Sequence, residues 1–176
     1  MPQYIRAKID GGTFFFTVTL ADRSSNLLVQ HIVLLRRAYR SVRDQHPFET
    51  IAIYILPDHL HAIWRLPEGD PNFSLRWNLI KGGFSRALPN IAPRSPSKIL
   101  KREKGIWQRR YWEHVIRSDD DLERHVSYIH FNPVKHGFVT RACDWPHSSF
   151  HRYVTRGDLP LDWGGDLRDI TGSFGE

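Results

Sequence analysis

Two short segments, far apart in the sequence, carry side chains that together could cut and rejoin DNA. His59 and His61 enclose one leucine within an apolar run, and Tyr128 and Asn132 lie one helical turn apart. Two imidazoles and one amide oxygen can hold a divalent cation, and a tyrosine beside that cation can attack a phosphodiester. The product would be a 5′-phosphotyrosine, which keeps the energy of the broken bond for a later rejoining step.

The spacing within each segment places its polar side chains on a common face. In a strand, residues i and i+2 point to the same side, so His59 and His61 project together. In a helix, residues i and i+4 share a face, so Tyr128 and Asn132 lie one above the other. Each pair also has a structural interpretation. Histidines with this spacing often bind no ligand. Because Asn132 precedes Pro133, it is predicted to be the last helical residue or the cap.

Hydrophobic patterns predict the elements that must position these residues. Strands are predicted at 13–20, 49–56, 59–66 and 106–117. Helices are predicted at 26–45, about 72–87 and from the Ser118 cap to Pro133. This order is β-α-β-β-α-β followed by a helix, an α+β, ferredoxin-like antiparallel sheet with an added helix that carries Tyr128. The strand with the histidines would be central, and the added helix could lie across it.

Length and composition indicate one domain. The chain has 176 residues, 40% of them hydrophobic, which is enough for one core. We expect a catalytic domain over 1–140 and a C-terminal extension, 141–176, packed on it. No apolar run approaches the roughly 20 residues of a membrane-spanning helix. The N-terminus lacks the apolar core of a signal peptide, and the single Cys143 excludes an internal disulfide, which together predict a cytoplasmic protein.

Positive charge is concentrated in the middle of the chain. The net charge is +6, but eleven Lys and Arg face two acids between Arg76 and Arg117, whereas five acids face one Arg from Asp158 onward. Basic groups bind phosphates and aromatic rings stack on unpaired bases, so the tryptophans within this stretch favour a nucleic-acid partner. A solvated basic face with ordinary core aromatics is the alternative. The acidic tail suggests an autoinhibitory segment that competes with DNA.

Longer segments around these residues resemble one family of DNA-processing enzymes. They follow each other along most of the chain as GGTFFFTVTL, LPDHLHAIWRLPEGD, IWQRRYWEHVIR, HVSYIHFNPVKHGFV and DWPHSSFHR. They resemble the REP-associated tyrosine transposases, which are HUH nucleases of the single-tyrosine type. The resemblance implies that Tyr128 is the nucleophile and that His59, His61 and Asn132 hold Mg²⁺ or Mn²⁺. It also implies a monomer, associated with the nucleoid, that acts on single-stranded hairpins from repetitive extragenic palindromes.

Five further residues are candidates for DNA contacts. They are Lys8, Trp107, Arg109, Arg110 and Lys135. In a strand the two arginines would point to opposite faces, so at most one would contact a given DNA segment. Lys135 could hold a phosphate near Tyr128 or be an ordinary surface lysine. Trp107 could stack on a base or fill the core.

The remaining histidines raise the question of further metal ligands. His114 could approach the site, whereas His130 lies on a different helix face from Tyr128 and is not expected to bind metal.

Two other functions are compatible with the sequence. A non-catalytic hairpin-binding protein would bind without cleaving, although binding alone needs none of the candidate ligands or the tyrosine. A metal-dependent hydrolase would use water and leave Tyr128 structural. An assay for a covalent protein–DNA adduct separates all three functions.

Overall fold

Four antiparallel strands form one sheet in the part of the chain that the computed structural model describes, residues 9–88, 105–165 and 174–175. The strands are β1 (Thr13–Thr19), β2 (Glu49–Ile55), β3 (His59–Arg65) and β4 (Trp112–Val115). The helices are α1 (Leu27–Gln30), α2 (Ile32–Gln45), α3 (Phe73–Ala87), α4 (Asp119–Lys135) and α5 (Phe150–Arg156). The strand order β2-β3-β1-β4 confirms the predicted ferredoxin-like sheet with β3 in its interior.

The sheet separates two hydrophobic layers. Successive residues of β1 point to opposite faces, so Phe14 and Phe16 pack with α2 and α3, whereas Phe15 packs with α4. Both faces of β1 are therefore buried, which explains the three consecutive phenylalanines at 14–16. In β3 the same alternation places Leu60 in the layer of α2 and α3 and turns its two neighbouring histidines toward α4.

The predicted long strand at 106–117 is wrong. Only Trp112–Val115 pairs with β1 as a strand, and Trp107 makes an isolated bridge to Leu20. Between these points the backbone bends, and the carbonyl of Gln108 accepts a hydrogen bond from Lys81 Nζ at 2.7 Å. Arg109 and Arg110 therefore lie in an exposed bend and not on opposite faces of a strand.

The predicted end of α4 at Pro133 is also wrong. Proline lacks an N–H and its ring crowds the carbonyl four residues earlier, yet the helix continues past Pro133 to Lys135. The helix ends at Gly137, whose φ of 73° allows Phe138 N to bond Pro133 O at 3.0 Å and Gly137 N to bond Val134 O at 2.9 Å. Asn132 is consequently an interior helical residue and not a cap.

Residues after α4 cover the outer edge of β2. Ile55 N donates to His147 O at 2.9 Å, Ser149 N donates to Ile53 O at 2.8 Å, and Trp145 Nε1 donates to Ile55 O at 3.0 Å. These bonds satisfy backbone groups that an edge strand would otherwise expose. Among the described residues, no helix is both long and apolar enough to cross a membrane.

Candidate tyrosine and metal site

His59 and His61 lie side by side on β3, beneath α4. Their exposed fractions are 2% and 0%, and α4 packs across this face against β2 and β3. Thr17 of β1 and Tyr54 of β2 are the residues paired with His61 in the sheet register. The predicted placement of the histidine pair on a central strand is therefore what the structure shows.

Hydrogen bonds orient the ring of His61. The hydroxyl of Thr17 donates to the carbonyl oxygen of Phe174 at 2.7 Å, and its Oγ1 lies 2.8 Å from His61 Nδ1. Since the single hydroxyl proton is already used, Oγ1 accepts a proton from Nδ1. The lone pair on Nε2 is then the one that a metal ion would use.

His59 is oriented by a carboxylate. Its Nδ1 lies 2.8 Å from Asp58 Oδ1, and Arg23 Nε donates to the other carboxylate oxygen at 2.5 Å. A carboxylate only accepts, so Nδ1 of His59 carries the proton and Nε2 the lone pair. Tyr54 Oη lies 3.0 Å from that Nε2 and donates to it. Both histidines thus present Nε2 as the donor atom, as metal-binding histidines with a second hydrogen bond commonly do.

Tyr128 and Asn132 stand on the face of α4 that covers the histidines. Both side chains are fully buried, and the Tyr128 ring lies 5.4 Å from the His61 ring, nearly edge-on. Lys135 Nζ donates to Tyr128 Oη at 3.3 Å, which places the hydroxyl toward the C-terminal end of the helix. One turn beyond Asn132, the His136 ring lies 5.3 Å from His59.

Phe174, near the C-terminus, covers the ring of Tyr128. The ring of Phe174 stacks on the Tyr128 ring at 3.7 Å with an angle of 15° between their planes, and it also contacts Phe15 and His125 edge-on. Phe174 is itself 8% exposed. One face of the Tyr128 ring is therefore covered by Phe174.

The donor set at this site suits a divalent cation. His59, His61 and Asn132 offer two imidazole nitrogens and one amide oxygen from facing elements, and imidazole with oxygen ligands is a mixture that Mn²⁺ accepts readily. Mg²⁺ prefers oxygen ligands, so it fits the set less well.

A second group that could hold a metal ion consists of His114 of β4 with Asp121 and His125 of α4. Its polar atoms have structural partners. Asp121 accepts from Arg117 N at 3.0 Å and binds His114 Nε2 at 2.9 Å, while His125 Nδ1 lies 2.7 Å from the Asp121 backbone oxygen. Burial alone would raise the pKa of Asp121. The hydrogen bonds from His114 and Arg117 outweigh burial and hold this pKa below its usual range. With Ser118 Oγ accepting from Asp121 N at 3.1 Å, the carboxylate completes a reciprocal cap of the helix.

The other predicted site residues are placed as follows. Trp107 is 8% exposed and packs on Phe84, with its Nε1 donating to Ser85 Oγ at 3.1 Å. The ring of Trp107 therefore lies largely in the core, and a base-stacking role for this residue stays a prediction. His130 points away from the site to Ser149 Oγ at 3.0 Å, and burial lowers its pKa to about 3. Lys8 lies outside the described residues.

Several residues of the site had no assigned role in the sequence. Asp58 directly precedes His59, so the Asp-His pair is a signal that could have revealed it. Thr17 becomes visible only through the register of β1 against β3. Phe174 follows a turn-rich tail, and nothing in its sequence context indicates a contact with Tyr128.

The comparisons with known proteins identify relatives of the whole chain. No family model matches the chain. A REP-associated tyrosine transposase of Escherichia coli K12 is 47% identical over 171 residues, which cover 97% of this chain and 96% of the relative. A Haemophilus influenzae protein, provisionally given the same family name, is 48% identical over 167 residues, covering 94% and 95%. A solved structure of a REP-associated tyrosine transposase bound to a REP hairpin is similar over 100% of this chain and 98% of its own, with a TM-score of 0.87 and 47% identity.

Proposed function

Because the chain belongs to the REP-associated tyrosine transposases, we propose that it binds a single-stranded palindromic hairpin, cuts the DNA beside it and rejoins the ends. The observation that carries this proposal is the position of Tyr128 on α4, with its ring 5.4 Å from His61 of β3. The relative with the same fold is described as bound to a REP hairpin, which supports the substrate class. The proposal includes a monomer, working at the nucleoid in the cytoplasm, with 141–176 packed on the catalytic part.

The reaction exchanges one phosphodiester for another. The Tyr128 oxygen attacks the phosphorus, the bond from phosphorus to the 3′-oxygen breaks, and the phenolic proton is lost while the departing oxygen gains one. The products are a 5′-phosphotyrosine and a DNA end with a 3′-hydroxyl. A second 3′-hydroxyl then attacks the phosphotyrosine, which restores the phosphodiester and regenerates the tyrosine.

Some residues of the site would orient the metal ligands, and others would stabilise negative charge. A divalent ion held by His59, His61 and Asn132 would withdraw charge from the phosphate and stabilise the departing oxygen. Asp58 and Thr17 fix the two imidazole rings so that each keeps its lone pair on Nε2, and the Tyr54 hydroxyl, 3.0 Å from Nε2 of His59, would have to turn away for an ion to bind there. The Lys135 ammonium, 3.3 Å from Tyr128 Oη, stabilises negative charge on the attacking oxygen and on the phosphate next to it.

A covalent adduct is the direct test of this function. Wild-type protein incubated with a labelled single-stranded hairpin and Mn²⁺ or Mg²⁺ is expected to yield a protein–DNA adduct on a denaturing gel, and EDTA is expected to prevent it. Hairpin binding without cleavage in either metal would support the non-catalytic alternative. Cleavage without an adduct would support hydrolysis by water.

We also propose that Phe174 restrains the enzyme. Phe174→Ala removes the ring stacked on Tyr128, so cleavage is expected to be roughly 2- to 10-fold faster, the range that corresponds to the loss of one aromatic pair. The contact is aromatic and not ionic, which differs from the charge-based competition suggested by the acidic tail. The measurement is the initial rate of adduct formation at a fixed metal concentration.

Leu161→Ala provides the control for this variant. Leu161 belongs to the same C-terminal region and is 62% exposed, so its truncation should leave the rate unchanged. Equal rates for wild type and Phe174→Ala would show that the stacked ring does not restrain Tyr128.

A further inference from the structure

A groove lined by arginines runs along the outer edge of the sheet. Arg36, Arg40 and Arg43 follow each other on one face of α2, and Arg152 of α5 stands on the opposite wall. The groove has a volume of about 390 Å³. These four residues, called the arginine groove below, lie outside the basic stretch that is conspicuous in the sequence, because helices distant in the chain contribute them.

In the described part of the chain, the arginine groove carries positive charge without a carboxylate in its lining, and Glu49 lines the adjoining pocket, which shares Arg43 and Arg152. Among the described residues, no Asp or Glu lines the groove, and none of the four arginines forms an ion pair with a carboxylate. Arg152 is oriented by the backbone, since its Nη2 donates to Thr50 O at 2.9 Å. Positive side chains close together in a groove repel one another, and a bound polyanion relieves that repulsion.

The groove lies on the opposite side of the sheet from Tyr128. Its floor includes Ile53 and Leu60, which belong to the layer of α2, whereas His61 faces α4. DNA held in the groove is therefore a different segment from the strand that reacts with Tyr128. In a hairpin substrate, the segment next to the unpaired strand is the duplex stem.

The lining suits a phosphate backbone better than unpaired bases. Tyr39 supplies the one phenyl ring among the described lining residues, and that ring packs on Phe48 and Trp64 while its hydroxyl bonds Thr50 Oγ1 at 2.6 Å. The Tyr39 ring is thus packed in the core, and the other aromatic lining residue, His147, lies with its Nδ1 3.4 Å from Arg36 Nη2, so arginines dominate the lining. Along α2, Arg36 to Arg43 spans about 10 Å, so these arginines present their charges along an extended line and not at a single point.

We propose that the arginine groove binds the phosphate backbone of the hairpin's duplex stem. The inference rests on the proposed function and adds the surface that holds the stem while Tyr128 acts on the unpaired strand. Each arginine that neutralises a phosphate releases a counterion, so the contact makes a measurable contribution to the salt dependence of binding.

The test compares two double variants that lose the same charge. Arg40→Gln with Arg43→Gln alters the groove, while Arg37→Gln with Arg124→Gln removes exposed arginines that do not line it. Fluorescence anisotropy would measure binding of a palindromic hairpin with single-stranded flanks, and of an unpaired oligonucleotide of the flank sequence, over a range of salt concentrations. Circular dichroism would verify that both variants are folded.

For the hairpin, the groove variant is expected to lower the slope of log K against log salt by about 2 units, near 0.9 per lost phosphate contact. Binding of the unpaired oligonucleotide and the control variant should keep the wild-type slope. A groove variant that binds the hairpin like wild type overturns the proposal, and so does an equal loss for hairpin and unpaired oligonucleotide. The proposed function fails separately, through the absence of a wild-type adduct.

Discussion

Tyr128→Phe is expected to abolish the covalent protein–DNA adduct and to reduce strand cleavage by roughly 10³-fold or more, as removal of a nucleophile does in other covalent enzymes. Phenylalanine keeps the ring that contacts His61 and Phe174 but lacks the oxygen that attacks phosphorus. The variant loses the hydrogen bond from Lys135, which costs about 1 kcal/mol of folding free energy. Hairpin affinity should therefore remain near the wild-type value.

Tyr153→Phe is the matched control. Tyr153 is a partly buried tyrosine whose hydroxyl donates to Ile51 O at 3.0 Å, away from the histidine pair. It should retain adduct formation, measured on denaturing gels after incubation with hairpin and Mn²⁺. Cleavage that persists in Tyr128→Phe at the wild-type rate would show that water is the nucleophile and that the tyrosine is structural.

Asp58→Asn is expected to weaken Mn²⁺ binding by about 10- to 100-fold, the usual effect of removing a hydrogen-bond partner of a metal-binding histidine. The carboxylate now accepts from His59 Nδ1 at 2.8 Å and from Arg23 at 2.5 Å. An amide oxygen still accepts a hydrogen bond, but it carries no charge to make the imidazole a stronger donor to the metal. Asp58→Glu keeps the charge and should recover part of the affinity.

Titration of the DNA-free protein with Mn²⁺, followed by electron paramagnetic resonance, measures this effect independently of cleavage. Asp44→Asn, an exposed carboxylate on α2, is the control and should bind Mn²⁺ like wild type. If Asp58→Asn lowered the melting temperature while leaving Mn²⁺ affinity unchanged, Asp58 would have a structural role only.

Secondary structure was predictable wherever the hydrophobic pattern is regular or a helix cap is present. The alternating and continuous apolar runs predicted the strands at 13–20, 49–56 and 59–66, and Ser118 followed by three aspartates predicted the start of α4. The predictions failed where tertiary contacts override the pattern. Within 106–117, Trp107 and Gln108 bond to the end of β1 and Trp112–Val115 pair with β1, but the backbone bends between them, where Lys81 donates to Gln108 O. Pro133 lies inside α4, and the turn at Gly137 terminates the helix.

The sequence by itself determined which side chains are available for chemistry and their faces on single elements. His59 and His61 share a face because strands repeat every two residues, and Tyr128 and Asn132 share one because helices repeat every 3.6 residues. Local periodicity says nothing about partners in other elements. Only the tertiary structure brought Thr17 to His61 and Phe174 onto Tyr128, and only it assembled Arg36, Arg40, Arg43 and Arg152 into one groove. The physical reason is that sheet register and helix docking are decided by burial of side chains distant in the chain, which no local segment encodes.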